Sequence, residues 1–523
     1  MSKLVIPPLL ATDSYKVSHK GFMVEGTTKI YSNLTPRSLK RLAKSSLFDG
    51  KIVVFGISMM VQELDYWWQN HFFNLSKEEA IANAARILKA YIGHDDNHHF
   101  EQLHDLGYLP IEIKSLPEGA LINERVPVFT FFNTHPDFAW LTNYLETFLS
   151  AEVWKPMTVA TIARQYRMLA NHWALATTGS LDGTEFQVHD FSYRGMSNSL
   201  DAARCGAGFL LSTNGTDNIP ALCAVEQYYQ TPIDSAFIAT SVPASEHSLA
   251  CTGIEVLGEL ETYRKWITQD YPSGIVSIVS DTFDFFRVVT DYACALKDDI
   301  LNRIPNELGL AKVVFRPDSG DPVKILTGYT DDEVLDLNND NEDARYQVLA
   351  DNRVISSAEK KGAVECLAEI FGTTESAKGY RQLHERVGLI YGDSITLERA
   401  ELIFSRLAAK GFASTCVVIG VGSYTCQYLT RDTLGIAIKA TAAEVNGEIV
   451  ALSKAPKTDS GEKHSARGLL KVEQQNGEYV LLQNVSVEEE QQGCLETYYK
   501  DSKILKQEDF VNIRNRLWNT AQA

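Results

Sequence analysis

His247 stands in the stretch SVPASEHS, between small residues and just past a proline. Its structural alternative is a loop histidine bonded to the backbone. The rest of the chain argues for chemistry. Short apolar runs end, one after another, in polar residues: Asp190, Phe191 and Arg194 in HDFSYRG, Asp281 in SDTFD, Arg316 and Asp318 in RPDSGDP, Gly392 and Asp393 in GDS, and Gly420, Gly422 and Ser423 in GVGS. Each has its own structural alternative. Arg316 and Asp318 could form a local ion pair, Asp393 could cap a helix, and Phe191 could belong to the core. Together they read as a catalytic face, because the carboxyl ends of parallel barrel strands share one side, which holds the active site. The turn GVGSYT lacks the third glycine of a dinucleotide fingerprint, since Thr425 stands there. It suits a phosphate held by backbone N–H groups, and Arg431 in the following TRD could join it.

The elements that must carry these residues follow from periodicity. FQVHDFS, AFIATSVP, GIVSIVSDT, AKVVFRPDSG, RVGLIYGDS and STCVVIGVG are strand-like, and their continuous apolar character suits parallel strands covered on both faces. Helices alternate with them. After YGDSIT, apolar residues Leu397, Ala400, Phe404 and Leu407 recur at helical spacing, Ser394 or Thr396 can cap the start, and Gly411 stops the helix. The rhythm implies a (β/α) barrel or an open doubly wound sheet. Before it, VVFGISMMVQELDYWWQNHFF, SKEEAIANAARILKAYIG, DFAWLTNYLETFLSAEVW and TVATIARQYRMLANHWALATTG read as four helices, with Ser76 and Glu79 forming a capping box. LPIEIKSLPEG is a strand among them. After the barrel, EVNGEI and QQNGEY signal hairpins. The expected division is an N-terminal helical and sheet region over 1–180, an α/β barrel over 181–431, and a β-rich segment over 432–523 that packs with the first. The acidic stretch 329–352 interrupts the barrel and is expected to be a solvated insertion. Its DLNNDNED is not a calcium loop, because Asn341 replaces the required glycine.

Bulk properties narrow the function. The 523 residues exceed a single ordinary core. With 45% hydrophobic and 22% charged residues, the chain has the balance of a globular protein. A formal net charge of −18 argues against nonspecific nucleic-acid binding. The eight cysteines include no CxxC pair, which points to a reducing cytoplasm rather than a disulfide or zinc framework. The N-terminal apolar run, broken by two prolines, is a poor signal peptide, and no run approaches the ~18 residues of a membrane span.

In order along the chain, LLATDSYKVSH, HDFSYRG, NGTDNI, SVPASEHS, VSDTFD, FRPDSGDP, YGDSI, LTRD and the loop containing Lys463 are similar to the nicotinamide phosphoribosyltransferase family. The resemblance covers most of the sequence. It implies an irregular (β/α) barrel of the type II phosphoribosyltransferase kind, with a sheet-containing domain built from the N- and C-terminal segments. It also implies a homodimer with shared active sites. The implied reaction moves phosphoribose from phosphoribosyl pyrophosphate to nicotinamide, giving nicotinamide mononucleotide and pyrophosphate.

By the same resemblance, Phe191 stacks on the nicotinamide ring, with Tyr15 from the other subunit opposite and Asp13 nearby. Asp217 accepts the carboxamide N–H. Arg316 lies near the base and phosphoribosyl group, Arg194 binds diphosphate, Asp318 and Asp393 hold ribose hydroxyls, and Gly392 lets the backbone come close. Gly422, Ser423, Arg431 and Lys439 surround the 5′-phosphate. His247, oriented by Asp281, takes a phosphoryl group from ATP, and Lys463 contacts the nucleotide phosphates. Mg2+ assists departure of pyrophosphate. Four positions depart from the family pattern: Ser423 and Tyr424 replace glycines, Ala437 replaces a serine, and Ser394 replaces the glycine after Asp393. The alternatives are a nicotinate phosphoribosyltransferase, opposed by Asp217 and SYKVSH, and a barrel hydrolase of phosphorylated sugars, opposed by the lack of an acid/base carboxylate pair.

Overall fold

Five apolar runs do become parallel strands, and their carboxyl ends fall level with one another. The computed structural model describes residues 4–392, 394–454 and 464–520. In chain order its main elements are β1 (Thr27–Thr35), α1 (Ile57–Trp68), α2 (Lys77–Ile92), β2 (Ile111–Ser115), β3 (Phe129–Asn133) and α3 (Glu146–Thr178). There follow β4 (Val188–Asp190), α4 (Ser199–Leu210), β5 (Gly215–Thr216), α5 (His247–Leu257), β6 (Gly274–Val279), β7 (Ala311–Arg316), β8 (Val387–Tyr391), α6 (Leu397–Ala409), β9 (Val417–Val421) and α7 (Ser423–Gln427). The chain closes with β10 (Ala437–Val445), β11 (Glu448–Ala451), β12 (Glu496–Lys500) and β13 (Lys503–Ile504).

The parallel sheet has the order β5-β4-β9-β8-β7-β6. Register aligns Val421 with Asp190, Tyr391 with Ile419, and Val279 with Arg316. The last residues of these strands therefore emerge at one end. The predicted strand AFIATSVP is not a strand. Residues 240–245 instead bridge the two sheet edges, with Thr240 beside Gly215 of β5 and Ala244 beside Ser277 of β6. Pro243 has no N–H to give a ladder; its carbonyl accepts from the Ser277 N–H at 2.9 Å. The barrel is thus closed by isolated bridges, and this closing segment leads directly into His247.

The antiparallel sheet runs β11-β10-β1-β3-β2-β12-β13, so strands from both chain ends interleave. One continuous core joins the sheets, through Leu34, Ile113 and Phe131 on one side and Ile278, Phe315, Leu389 and Ile419 on the other. The helix α3 runs between them. Two helices expected around Pro156 are one, because Pro156 is accommodated inside it. Helix α4 approaches so closely that a Cβ on Gly208 would lie 2.8 Å from the Pro156 carbonyl oxygen. The capping box of α2 forms as its sequence predicts, Thr396 caps α6, and both NG turns close hairpins. The acidic insertion is more ordered than expected. It forms a three-stranded sheet around Tyr329, Val334, Val348 and Ile355. Among the described residues no helix is long and apolar enough to cross a membrane.

Candidate active site

His247 opens α5, immediately after the barrel-closing segment. Its Nε2 lies 3.2 Å from Asp281 Oδ1, just beyond the end of β6. The other oxygen of Asp281 accepts the backbone N–H groups of Asp318 and Ser319, each at 2.9 Å, and the Ser319 hydroxyl at 2.6 Å. Burial opposes its charge, but these donors and the neighbouring histidine hold the Asp281 carboxyl below the usual carboxylate range. An ionised carboxylate only accepts, so Nε2 carries the proton and Nδ1 holds the lone pair. Nδ1 faces Asp318 Oδ2 at 4.0 Å, and the imidazole is 44% exposed. Burial and the Asp281 carboxylate push the Asp318 carboxyl up.

A second group forms at the ends of β4, β5 and β7. Strand alternation turns Asp190 inward, where it accepts from the Ser192 N–H at 2.9 Å and the Asn218 amide at 3.2 Å. It is fully buried and braces the turn. His189 and Phe191 share the opposite face, with ring centroids 4.6 Å apart. Asp217 accepts His189 Nε2 at 3.0 Å and the Ser241 hydroxyl at 2.5 Å, both on Oδ1. Burial again opposes charge. The two hydrogen bonds, with the Arg316 guanidinium, nevertheless hold the Asp217 carboxyl low. Among the described residues no donor reaches Oδ2.

Arg316 ends β7, and one of its terminal nitrogens donates to the Ser245 carbonyl. Its buried Nε has no partner among the described residues. A Cβ on Gly392 would meet Arg316 and Asp318 at ordinary contact distance, 3.5–3.7 Å, so protein packing alone does not require that glycine. Arg194 lies in the turn after β4. That turn abuts α7, since a Cβ on Gly195 would collide with the Ser423 side chain. Arg194, Gly422 and Ser423 are thereby neighbours. Ser394, standing where the family has glycine, adopts φ +55°.

The remaining predicted residues sit elsewhere. Asp13 and Tyr15 belong to a 3-10 arm over Ser14–Phe22 and its cap. The start of α3 grips both flanks of Tyr15: the Thr147 hydroxyl donates to Asp13 at 2.7 Å, and Glu146 pairs with buried Lys16 at 2.8 Å. Tyr15 itself is 61% exposed. Lys439 lies on β10, where burial lowers its ammonium pKa; Glu146 opposes this, and Arg37, Lys454 and Arg431 add positive charge around it. Sequence reasoning missed Arg37 and Lys454 in this cluster, and it missed His189 and Ser241 beside Asp217. Asp393 and Lys463 lie outside the described residues. A cavity of about 670 Å3 opens at the amino ends of the barrel strands, lined by Lys312, Gly388 and Val418 among others, and none of the predicted site residues lines it.

The arrangement offers an aromatic slot with a carboxylate acceptor, arginines for polyanions, and a histidine poised beside two carboxylates. Comparison with known proteins agrees with that chemistry. Residues 186–502 match the model of the nicotinate phosphoribosyltransferase (NAPRTase) family, and residues 8–113 match that of the nicotinamide phosphoribosyltransferase N-terminal domain. The chain is 49% identical over 515 residues to a nicotinamide phosphoribosyltransferase of Acinetobacter baylyi, covering 98% of this chain and 97% of that one. It is 30% identical to one of Xanthomonas campestris pv. campestris, covering 97% of each. The fold is similar to the crystal structure of nicotinate-nucleotide pyrophosphorylase from Pyrococcus furiosus, with TM-score 0.57, 14% identity, and coverage of 100% and 98%. It is also similar to human nicotinic acid phosphoribosyltransferase, with TM-score 0.53, 15% identity, and coverage of 98% and 93%. The chain belongs to the nicotinate phosphoribosyltransferase family, on the side of its nicotinamide phosphoribosyltransferase members.

Proposed function

We propose that this protein transfers phosphoribose from phosphoribosyl pyrophosphate to nicotinamide, forming nicotinamide mononucleotide and pyrophosphate in NAD salvage. The observation that carries the reading is Asp217, held ionised with one oxygen unpaired and joined through His189 to the Phe191 ring. Phe191 stacks on the pyridine ring. Asp217 Oδ2 accepts the carboxamide N–H, and its charge repels nicotinate. The ring nitrogen's lone pair forms the new bond to C1 of the ribose as the C1–O bond to pyrophosphate breaks. The bond electrons leave with pyrophosphate, and the product ring carries the positive charge. No proton moves, so no general base is needed. Arg194 and Arg316 neutralise the departing polyanion.

His247 takes the γ-phosphoryl group of ATP. Its Nδ1 lone pair forms the P–N bond, the P–O bond to ADP breaks, and the proton stays on Nε2, donated to Asp281. Hydrolysis of the phosphohistidine then drives product release. His247, Asp281 and Asp318 can each offer a ligand atom within 4.8 Å of the others. The two carboxylates, with Asp318 pushed up by burial and by Asp281, fit Mg2+. Asp281 and Asp318 would hold it, and it supplies charge neutralisation for phosphate oxygens.

Two chains complete each site. Asp13, Tyr15 and Arg431 are exposed, and with half-buried Lys439 they are the residues a partner's site would take. Leu249, Val256 and Leu257 on α5 are exposed apolar residues beside the site, as an interface requires. Eight unpaired cysteines suit a cytoplasmic location. The test is pyrophosphate release with nicotinamide and nicotinate side by side. Nicotinamide is used preferentially, and Asp217→Ala lowers kcat/KM for it ~10–100-fold, the loss of a hydrogen bond to a charged group worth about 1.5–3 kcal/mol. Equal use of both bases by the unaltered protein contradicts the reading.

A further inference from the structure

We propose that His189 is the positioning residue that sets base selectivity, by locking the carboxamide acceptor and the stacking ring to each other. This rests on the nicotinamide reading above. The His189 ring touches both groups at once: Nε2 lies 3.0 Å from Asp217 Oδ1, and the ring centroid lies 4.6 Å from that of Phe191, tilted by 40°. Since Asp217 is held ionised, Nε2 donates the proton. Ser241 donates to the same oxygen at 2.5 Å. Both donors thus occupy Oδ1, which fixes the carboxylate plane and leaves Oδ2 to the substrate.

Both rings occupy space that only glycine leaves open. A Cβ on Gly215 would lie 2.7 Å from His189 Nδ1, and a Cβ on Gly420 would lie 2.4 Å from Phe191 Cδ2. Glycines on the two strands flanking β4 therefore seat the two aromatic rings. His189 on β4 and Phe191, one residue past its end with its N–H still paired to the Val421 carbonyl at 2.9 Å, lie two residues apart on one face. The distance between the stacking surface and the amide acceptor is fixed by this one imidazole. A histidine that only filled space would not need its protonated nitrogen on the acceptor carboxylate.

The consequence is a change in which base is used, with turnover preserved. With full-length protein, His189→Leu raises KM for nicotinamide about tenfold, the loss of one charge-assisted hydrogen bond. It leaves kcat and KM for phosphoribosyl pyrophosphate within about twofold, and lowers the nicotinamide-to-nicotinate ratio of kcat/KM by a similar factor of about ten. His189→Gln restores most of the ratio, because its amide N–H can reach the position of Nε2. Ser241→Ala, which removes the other donor from the same oxygen, shifts the ratio in the same direction without touching the ring packing. The inference is overturned if His189→Leu lowers both bases equally with the ratio unchanged, or if His189→Gln recovers nothing that His189→Leu lost. Should His189→Leu fail to fold, Ser241→Ala and His189→Gln decide alone: an unchanged ratio in Ser241→Ala with a lost ratio in His189→Gln overturns it. Failure of the underlying reading looks different, since the unaltered protein would then release no pyrophosphate in response to nicotinamide.

Discussion

The barrel and the antiparallel sheet treat their charged groups in opposite ways. In the sheet, Lys114 and Glu490 meet at 2.8 Å with both side chains almost wholly buried, and Tyr31 donates to the same glutamate. The charged groups of that cluster are all paired. At the barrel's carboxyl ends each anchored group keeps one atom open: Oδ2 of Asp217, Nδ1 of His247, and Nε of Arg316. Arg316 Nε is buried without a partner, which costs about 1–3 kcal/mol, while the His247 imidazole and the Asp217 carboxylate are partly exposed, so all three are open to a ligand. The sheet region also carries an open place, the Tyr15 arm, where the flanking anchors are closed and the ring is exposed. The closed pairs hold the frame, and in the proposed function the open atoms are the ones that meet substrate.

Substitutions in the two regions should separate along that line. The largest effect belongs to His247→Ala. Incubation with γ-phosphate-labelled ATP and Mg2+ labels the unaltered protein with an acid-labile, base-stable group, and the variant shows background label and no ATP stimulation. Labelling of the variant at the parent level makes His247 a loop residue only. Next comes Glu490→Gln, which leaves the Lys114 ammonium buried and uncompensated. Stability falls by about 3 kcal/mol, read from denaturant unfolding, while kcat of the folded fraction is unchanged. A drop in kcat at full stability would erase the distinction between frame and site. The smallest is Glu146→Gln, which loosens the clamp on Lys16 and so the Tyr15 ring. One aromatic contact is worth about 0.5–1.5 kcal/mol, so KM for nicotinamide rises by up to about tenfold in steady-state assays.

The open half of the barrel was legible because parallel strands are short apolar runs that end abruptly in polar residues, and the ends of β4, β6, β7, β8 and β9 fall where those runs stop. The closing segment was not. AFIATSV has strand composition, yet its neighbours β5 and β6 offer it only isolated bridges, a fact of barrel geometry that composition does not carry. Pro156 read as a boundary between helices, whereas packing against Gly208 keeps α3 continuous. His189 went unread because its partner Asp217 is 28 residues away, on another strand end. The signal was present in the i, i+2 spacing to Phe191, which places both on one face. Arg37 and Lys454 reach Lys439 only through the antiparallel sheet, whose pairing of the chain's two ends no local pattern announces.

The central claim is that the open barrel end of one chain is completed by the arm of another. It is tested most directly by coexpressing Tyr15→Ala and His247→Ala chains with different tags and isolating the mixed dimer. A two-fold dimer with shared sites contains one site carrying both lesions and one carrying neither, so the mixed dimer recovers about half of the parental ATP-stimulated activity. A mixed dimer that forms yet shows no more activity than the two single-variant dimers would mean that Tyr15 and His247 serve the same site within one chain, and the account would be wrong.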